Sequence, residues 1–247
     1  MVTSHDVARA AGVSQATVSR VLSGSPRVAP KTRDRVLEAL RQTGYTPNLV
    51  ARAMRTRRTG TVGVVVASIT NPFYPQVIEA VASQLAAAGS RMILWISEGT
   101  GDESALAAIR QGLVDGVLFT TVTKRSRPLH EALERNAPVV MLNRAVDSVG
   151  ADQVVSDNAA GGAAVAAYFV QAGHRRVALI GGPEYASTAV SREQGYVGEL
   201  LRRGVRLPPS RRQRGDFTHA SGYDAMRAML RSRHPPTAVF CANDLSA

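Results

Sequence analysis

From residue 61 onward, short apolar segments alternate with amphipathic segments of helical length, and this alternation constrains the fold more than any other feature. The apolar segments predict strands at 62–67, 91–96, 116–121, 138–143, 153–156, 176–181 and 237–242. The amphipathic segments predict helices at roughly 74–88, 102–112, 126–136, 158–172, 187–203 and 219–232. Apolar strands joined by helical crossovers are typical of a parallel α/β sheet that is covered on both faces. Asp157 and Asn158 mark the expected point at which the chain leaves one sheet and starts a second.

The first 46 residues have a different pattern, which predicts three short helices. Thr3 and Asp6 resemble a capping box at the start of the first helix, and Gly12 suits a tight turn after it. Ser14 is placed to cap the second helix, and Pro30 suits the first turn of the third. Helical spacing assigns a small core to Val7, Ala8, Ala11, Val18, Val21, Leu22, Val36, Leu37 and Leu40.

The outward face of the second helix carries side chains that suit duplex DNA. A helix of this size fits the major groove, where its N-terminal side chains meet the base edges. Gln15 suits adenine, Arg20 suits guanine, and the methyl group of Ala16 suits thymine. The hydroxyls of Ser14, Thr17 and Ser19 suit phosphate oxygens. The alternative is that this helix-turn-helix is an inert packing unit.

The distribution of charge favours the DNA-binding interpretation. The chain has a net charge of +11, of which residues 1–59 carry +8 and the remaining 188 residues carry +3. A basic head on a nearly neutral body indicates a polyanionic partner for the head. A basic surface that only increases solubility is the alternative.

The head resembles the N-terminal domain of the lactose/galactose repressor (LacI/GalR) family, and the resemblance runs from residue 2 to the last residue. The matching positions of the first motif are Thr3, Asp6, Val7, Ala8, Ala11, Gly12, Val13, Ser14, Thr17, Val18, Ser19, Arg20 and Val21. Further matches are the segment 28–33, where Ala29 replaces a frequent capping Ser, and the segment 44–48. The resemblance implies a sequence-specific DNA-binding regulator, a repressor that binds double-stranded operator DNA as a homodimer or higher oligomer. It also adds Thr3 to the candidate DNA contacts.

The resemblance implies a division of the chain into four segments. These are a helix-turn-helix domain at 1–46, a hinge helix and linker at 47–60, and the two lobes of a periplasmic-binding-protein-like core at 61–157 and 158–247. In this family an apolar residue of the hinge helix wedges into the central base step of the minor groove, and Met54 occupies that position. Asn48, Ala51 and Arg52 are the other groove-facing candidates. An Arg-rich linker without a helix is the alternative for 47–58.

Ligands of such α/β units bind at the carboxyl ends of the strands. The residues that follow predicted strands are Asn71, Phe73, Asn143, Arg144, Asn243 and Asp244. Arg192, early in the predicted helix at 187–203, is a further candidate. The resemblance implies that Arg192 and Asp244 hold the effector, so the effector-site candidates are Asn71, Phe73, Asn143, Arg192 and Asp244, with a carbohydrate as the expected effector. For Arg192 and Asp244, a structural salt bridge or helix cap is the alternative role.

Other classes of protein are disfavoured by the sequence. The G-x-G-x-x-G, G-x-S-x-G, H-E-x-x-H and C-x-x-C motifs are absent, so we expect neither catalytic residues, nor a metal site, nor a cofactor. The apolar segments are too short to span a bilayer. A single cysteine, Cys241, and the absence of an export signal favour the cytoplasm. A stand-alone sugar-binding module is the main rival, but it leaves the basic head without a role.

Two further expectations concern assembly and length. The predicted helix at 74–88 is a candidate dimer contact through Val77, Val81 and Leu85, and packing on its own sheet is the alternative. Members of the family usually continue for some 80–100 residues beyond the position of Ala247, so we expect the second lobe to be incomplete.

Replacing Arg52 with Ala is expected to flatten the salt dependence of DNA binding, because each phosphate contact releases condensed counterions. The slope of log Kobs against log salt, measured by fluorescence anisotropy on duplex DNA, should fall by about one unit for one lost contact. An unchanged slope would place this side chain away from the phosphate backbone.

Overall fold

The computed structural model describes residues 2–46, 53–54, 56, 58–97, 101–123, 125–147 and 150–247, without the side chains of residues 101 and 102. The chain divides into two compact units, Met1–Thr59 and Gly60–Ala247. Among the described residues, no helix combines the length and apolarity that crossing a membrane requires.

Between residues 2 and 46, the first unit contains three helices around a small apolar core. The helices are α1 (Ser4–Ala11), α2 (Gln15–Leu22) and α3 (Pro30–Thr43). The predicted capping box at Thr3 and Asp6 is confirmed, with Asp6 accepting from the backbone N–H of Thr3. Gly12 follows the C-terminal end of α1 and Gly44 follows that of α3. Their φ values of 61° and 63° lie in the left-handed region. Glycine adopts this conformation without the steric cost that a Cβ brings.

The core of the first unit differs from the predicted one at Leu37. Val36 is fully buried, whereas 42% of Leu37 is exposed, so its assignment to the core is wrong. Successive residues of a helix are rotated by about 100°, which turns Leu37 away from the face of Val36. Ala39 lies on the buried face instead, and Leu40 packs partly buried beside it. No side chain caps α3 at Ala29, but Pro30 occupies its first turn.

The second unit begins with a five-stranded parallel sheet in the order β2-β1-β3-β4-β5. Its strands are β1 (Thr61–Val66), β2 (Arg91–Ile96), β3 (Gly116–Phe119), β4 (Val139–Leu142) and β5 (Asp152–Val154). Its helices are α4 (Phe73–Ala87), α5 (Gly101–Arg110) and α6 (Arg127–Glu134). Phe119, Leu129 and Met141 are fully buried between the sheet and its helices, and this packing supports the strand ends that carry the predicted ligand residues.

A second parallel sheet follows, in the order β7-β6-β8. Its strands are β6 (Val177–Gly181), β7 (Arg212–Arg214) and β8 (Ala238–Cys241), and its helices are α7 (Asn158–Gln171), α8 (Ser187–Arg202) and α9 (His219–Leu230). The predicted crossing point is confirmed, because β5 ends the first sheet and α7 packs with α8 and β6 of the second.

The predicted strands and helices occur near their expected positions, with two differences. The strand expected at 153–156 runs from Asp152 to Val154 and is exposed throughout. The sequence analysis missed β7, whose residues Arg212, Gln213 and Arg214 contain no apolar side chain. The strand lies at the edge of the second sheet, beside β6, where burial on both faces is not required.

Helices α7 and α8 approach each other closely at two glycines. A Cβ on Gly162 would overlap the carbonyl oxygen of Arg192, and a Cβ on Gly195 would overlap the carbonyl oxygen of Ala159. Glycine is therefore required at both positions for this helix separation. The contact fixes the part of α8 that carries Arg192.

Substituting Gly195 with Ala is expected to lower the free energy of unfolding by about 1–3 kcal/mol, because the added methyl group forces the two helices apart. The matched control is Gly198→Ala on the same helix, where nothing lies within 4 Å of the added Cβ. This control should stabilise the protein by up to about 1 kcal/mol through helix propensity. Urea unfolding, monitored by circular dichroism, measures the free energy of unfolding of both variants. An equal change in the two variants would contradict the close approach of α7 and α8 at Gly195.

Candidate nucleic-acid interface and ligand cleft

The turn between α1 and α2 is built from backbone hydrogen bonds and one distant arginine. The N–H of Val13 donates to the carbonyl of Ala8 at 3.0 Å, which closes the end of α1. Arg35 of α3 donates through Nε to the carbonyl of Ala11 at 3.2 Å and through Nη2 to that of Gly12 at 3.0 Å. The sequence analysis missed Arg35, because its partners lie more than 20 positions away along the chain. Arg35 thus fixes the turn that orients α2.

The N-terminal end of α2 presents its polar side chains outward. Ser14 caps the helix, and its hydroxyl lies 2.9 Å from that of Thr17. Gln15, Ala16 and Arg20 are exposed, whereas Thr17 and Ser19 are half-buried. The amide of Gln15 donates to the hydroxyl of Ser4 at 2.8 Å, which holds the side chain across the turn. Gln15 and Ala16 therefore lie accessible at the N-terminal end of α2, whereas Arg20 is accessible in its last turn.

Thr3 is exposed, but its donors are engaged in the capping box. Its backbone N–H and its hydroxyl donate to the Asp6 carboxylate at 2.9 and 2.7 Å. These hydrogen bonds hold the pKa of Asp6 below its ordinary value. A DNA contact by Thr3 stays a prediction, and it requires one of these two donors to change partner.

The predicted hinge lies mainly outside the described residues, which include none of Asn48, Ala51 and Arg52. Ala53, Met54 and Thr56 are described and helical. The side chain of Met54 is 80% exposed. An exposed thioether on helical backbone is compatible with the predicted wedge, which stays a prediction.

All five predicted effector residues line one cavity of about 590 Å³ in the second unit. Asn71 and Phe73 follow β1, Asn143 follows β4, Arg192 lies on α8 and Asp244 follows β8. The cavity thus lies at the carboxyl ends of strands from both sheets, as expected for parallel α/β units. Its size suits a small molecule. Its lining also includes Tyr74, Arg144, Asp157, Asn158, Thr188 and Phe217.

Arg192 joins three elements at the floor of the cavity. Its Nε donates to the Asn158 side-chain oxygen at 2.8 Å, and its Nη1 donates to the carbonyl of Ala242 at 2.5 Å. Burial lowers the pKa of Arg192, and the negative charge of Asp244 partly opposes that effect. Arg192 thus connects α8 with the start of α7 and the residue after β8 while it lines the cavity, and its contact with an effector stays a prediction.

Several cavity residues escaped the sequence analysis. Asn158 and Thr188 lie in the first turns of α7 and α8, and such positions are also typical of helix starts without ligands. Phe217, with a φ of 70°, follows the strand β7 that the sequence did not reveal. Within the part of the chain that the structure describes, no cluster of three His, Cys, Asp or Glu residues is arranged to hold a metal.

Sequence profiles of known families match both units. The profile described as bacterial regulatory proteins of the lacI family matches residues 3–48. The profile described as periplasmic binding proteins and sugar binding domain of the LacI family matches residues 59–247.

Similar proteins and solved structures extend the match over the whole chain. The ribose operon repressor of Escherichia coli is 33% identical over 253 residues, which are 100% of this chain and 76% of that protein. The transcriptional regulator CelR of Thermobifida fusca is 37% identical over 97% of this chain and 73% of its own length. The solved complex of CelR with cellobiose is 33% identical with a TM-score of 0.69 and covers 100% of this chain and 75% of that one. The lac repressor dimer bound to operator and the anti-inducer ONPF is 29% identical with a TM-score of 0.82, at the same coverage.

Replacing Gln15 with Ala is expected to weaken operator binding by about 1–3 kcal/mol and to relax the base preference at one position, since a side chain that pairs with a base edge is lost. Anisotropy titrations against an operator and its three single-base variants at that position measure this preference. Ser4→Ala is the control, because it removes the 2.8 Å contact to Gln15 but leaves the amide in place. An equal loss of affinity on all sequences would show that Gln15 does not read a base.

Proposed function

Because the chain belongs to the LacI family of bacterial regulatory proteins, we propose that it reads its operator through α2 and binds a sugar in the cavity between its two sheets. The protein is a DNA-binding transcriptional repressor whose operator binding is modulated by a small-molecule effector. The family consists of transcriptional regulators. This chain accordingly acts by binding and not by catalysis, and its place of action is the cytoplasm, where its DNA lies.

The observation that carries this proposal is the convergence of Asn71, Phe73, Asn143, Arg192 and Asp244 on one cavity. Amide, carboxylate and guanidinium groups suit the hydroxyls of a sugar, because they supply paired donors and acceptors. Phe73 is 45% exposed and offers an aromatic face for the apolar side of a sugar ring. Relatives named for ribose and solved with cellobiose support this ligand class.

In this proposal, the segments 61–157 and 158–247 are the two lobes of the effector-binding core. Asp157 caps α7 by accepting from the N–H of Ala160 at 2.9 Å, so the chain enters the second sheet through an ordered helix start. One hydrogen bond between the lobes is the donation from the N–H of Ala145 to the hydroxyl of Ser187 at 3.0 Å. A ligand that contacts both lobes changes the difference in free energy between the open and closed arrangements of the lobes. In this proposal, that change alters the affinity of the protein for DNA.

Dimerisation through α4 is part of the proposal. Val81 packs against the first sheet, which supports the alternative role for this residue. Val77 and Leu85 are half-buried, and Tyr74 is the only residue of α4 that is fully buried. An apolar helix with so little burial in one subunit has surface left for a second copy. The lac repressor, solved as a dimer on operator DNA, supports the same assembly.

Selection of bound sites from a random duplex pool, followed by anisotropy with a panel of sugars, tests the proposed function. We expect enrichment of a pseudo-palindrome with two half-sites and at least one sugar that changes its affinity. Failure to enrich any sequence over shuffled competitor would contradict DNA reading. A sugar that binds without changing operator affinity would contradict the proposed regulation.

Replacing Arg192 with Lys is expected to raise the Kd of the sugar at least about tenfold, because hydrogen bonds to charged groups contribute about 1.5–3 kcal/mol each. Isothermal titration calorimetry with the sugar from the panel measures the change. Arg202→Lys is the matched control, since Arg202 lies on the same helix and pairs with Glu199 at 2.7 Å, and neither residue lines the cavity. An equal change in the Kd of the sugar in both variants would show that Arg192 does not contact the sugar.

A further inference from the structure

Arg144 is a buried cation in the wall of the cavity. It follows β4 directly after Asn143, lines the same cavity as Arg192, and is only 8% exposed. A charged side chain is buried at this level almost only when a partner compensates it. The partners of its guanidinium therefore decide what Arg144 does.

The contacts of Arg144 are with uncharged groups. Its Nη1 donates to the carbonyl of Thr121 at 3.2 Å, and its guanidinium carbon lies 5.6 Å from the ring centre of Tyr185. Tyr74 is its third neighbour. Burial raises the pKa of the Tyr74 hydroxyl, and the charge and hydrogen bond of Arg144 partly oppose that rise. The buried Nε has no hydrogen-bond acceptor.

Arg192 and Asp157, which also line the cavity, each have a described interaction partner. Arg192 experiences the negative charge of Asp244, and the Asp157 carboxylate accepts a backbone hydrogen bond at the start of α7. No described carboxylate lies within 4.0 Å of Arg144. In the described lining of the cavity, Arg144 thus combines a buried guanidinium, no carboxylate within salt-bridge distance and an Nε without an acceptor.

An anionic group on the ligand would supply the counter-charge that the described lining does not place beside Arg144. A guanidinium presents a planar fork of donors that matches a carboxylate or a phosphate, and such charge-assisted pairs are stronger than neutral hydrogen bonds. We propose that the effector is an acidic sugar, with a carboxylate or phosphate group bound by Arg144 and hydroxyls bound by the amide residues of the cavity. This inference rests on the proposed sugar site and adds the charge of its ligand.

Calorimetry with matched neutral and anionic sugars tests the inference on the full chain. The pairs are D-glucose with D-glucuronate, D-galactose with D-galacturonate, D-glucose with D-glucose 6-phosphate, and D-ribose with D-ribose 5-phosphate. We expect an anionic member to bind at least tenfold more tightly than its neutral partner. The uronate pairs and the phosphate pairs show which of the two anionic groups is preferred. Tighter binding of the neutral member in every pair, or binding of no anionic member, overturns the inference.

Variants of Arg144 separate ligand binding from a purely structural role. Arg144→Gln should abolish the preference for the anion, measured as the ratio of the Kd values of the neutral and anionic partners, whereas Arg144→Lys should keep part of the preference. Thermal unfolding of both variants checks that the lobes still fold, and the ratio of the two Kd values does not depend on stability. An unchanged ratio in Arg144→Gln overturns the inference. If operator affinity changes with a neutral sugar and with no anionic sugar, the inference of an acidic effector is overturned, while the proposed function still holds.

Discussion

The ligand cleft depends on the close approach of α7 and α8 at Gly162 and Gly195. Because no Cβ separates the helices at these positions, the backbone of Arg192 lies against α7. The Arg192 guanidinium then reaches both Asn158 at the start of α7 and the carbonyl of Ala242 after β8. The contact between α7 and α8 therefore brings the start of α7, the first turns of α8 and the end of β8 together at the cavity.

In the DNA-binding unit, the orientation of α2 depends on the turn that joins it to α1. Gly12 allows the left-handed turn between α1 and α2, and Arg35 satisfies the carbonyl groups that the turn leaves open. Carbonyls at a helix end need such partners, because the helix itself supplies none. These contacts, together with the burial of Val18 and Val21, orient the accessible N-terminal end of α2.

Residues whose role follows from local pattern were predictable from the sequence. Asn71, Asn143 and Asp244 follow apolar strands, and parallel sheets bring such residues together at one edge. Arg192 was a candidate because it lies early in the predicted helix at 187–203, and the family resemblance strengthened that prediction.

Roles that depend on contacts between distant residues were not predictable. Arg35 meets its partners only after the three helices pack, and β7 is held by its neighbour β6 without an apolar pattern of its own. Leu37 was assigned to the core with its apolar neighbours Val36 and Leu40, although its position on the helix turns it outward. The uncompensated burial of Arg144 likewise required its surroundings to be known.

The central claim is that occupancy of the cleft and binding of the operator are energetically coupled. The most direct test measures the Kd of the selected duplex with and without saturating sugar, and the Kd of the sugar with and without the duplex. Linkage requires both affinities to change by the same factor, expected to be about 5- to 150-fold. An operator Kd that stays constant while calorimetry shows the cleft to be occupied would contradict the account.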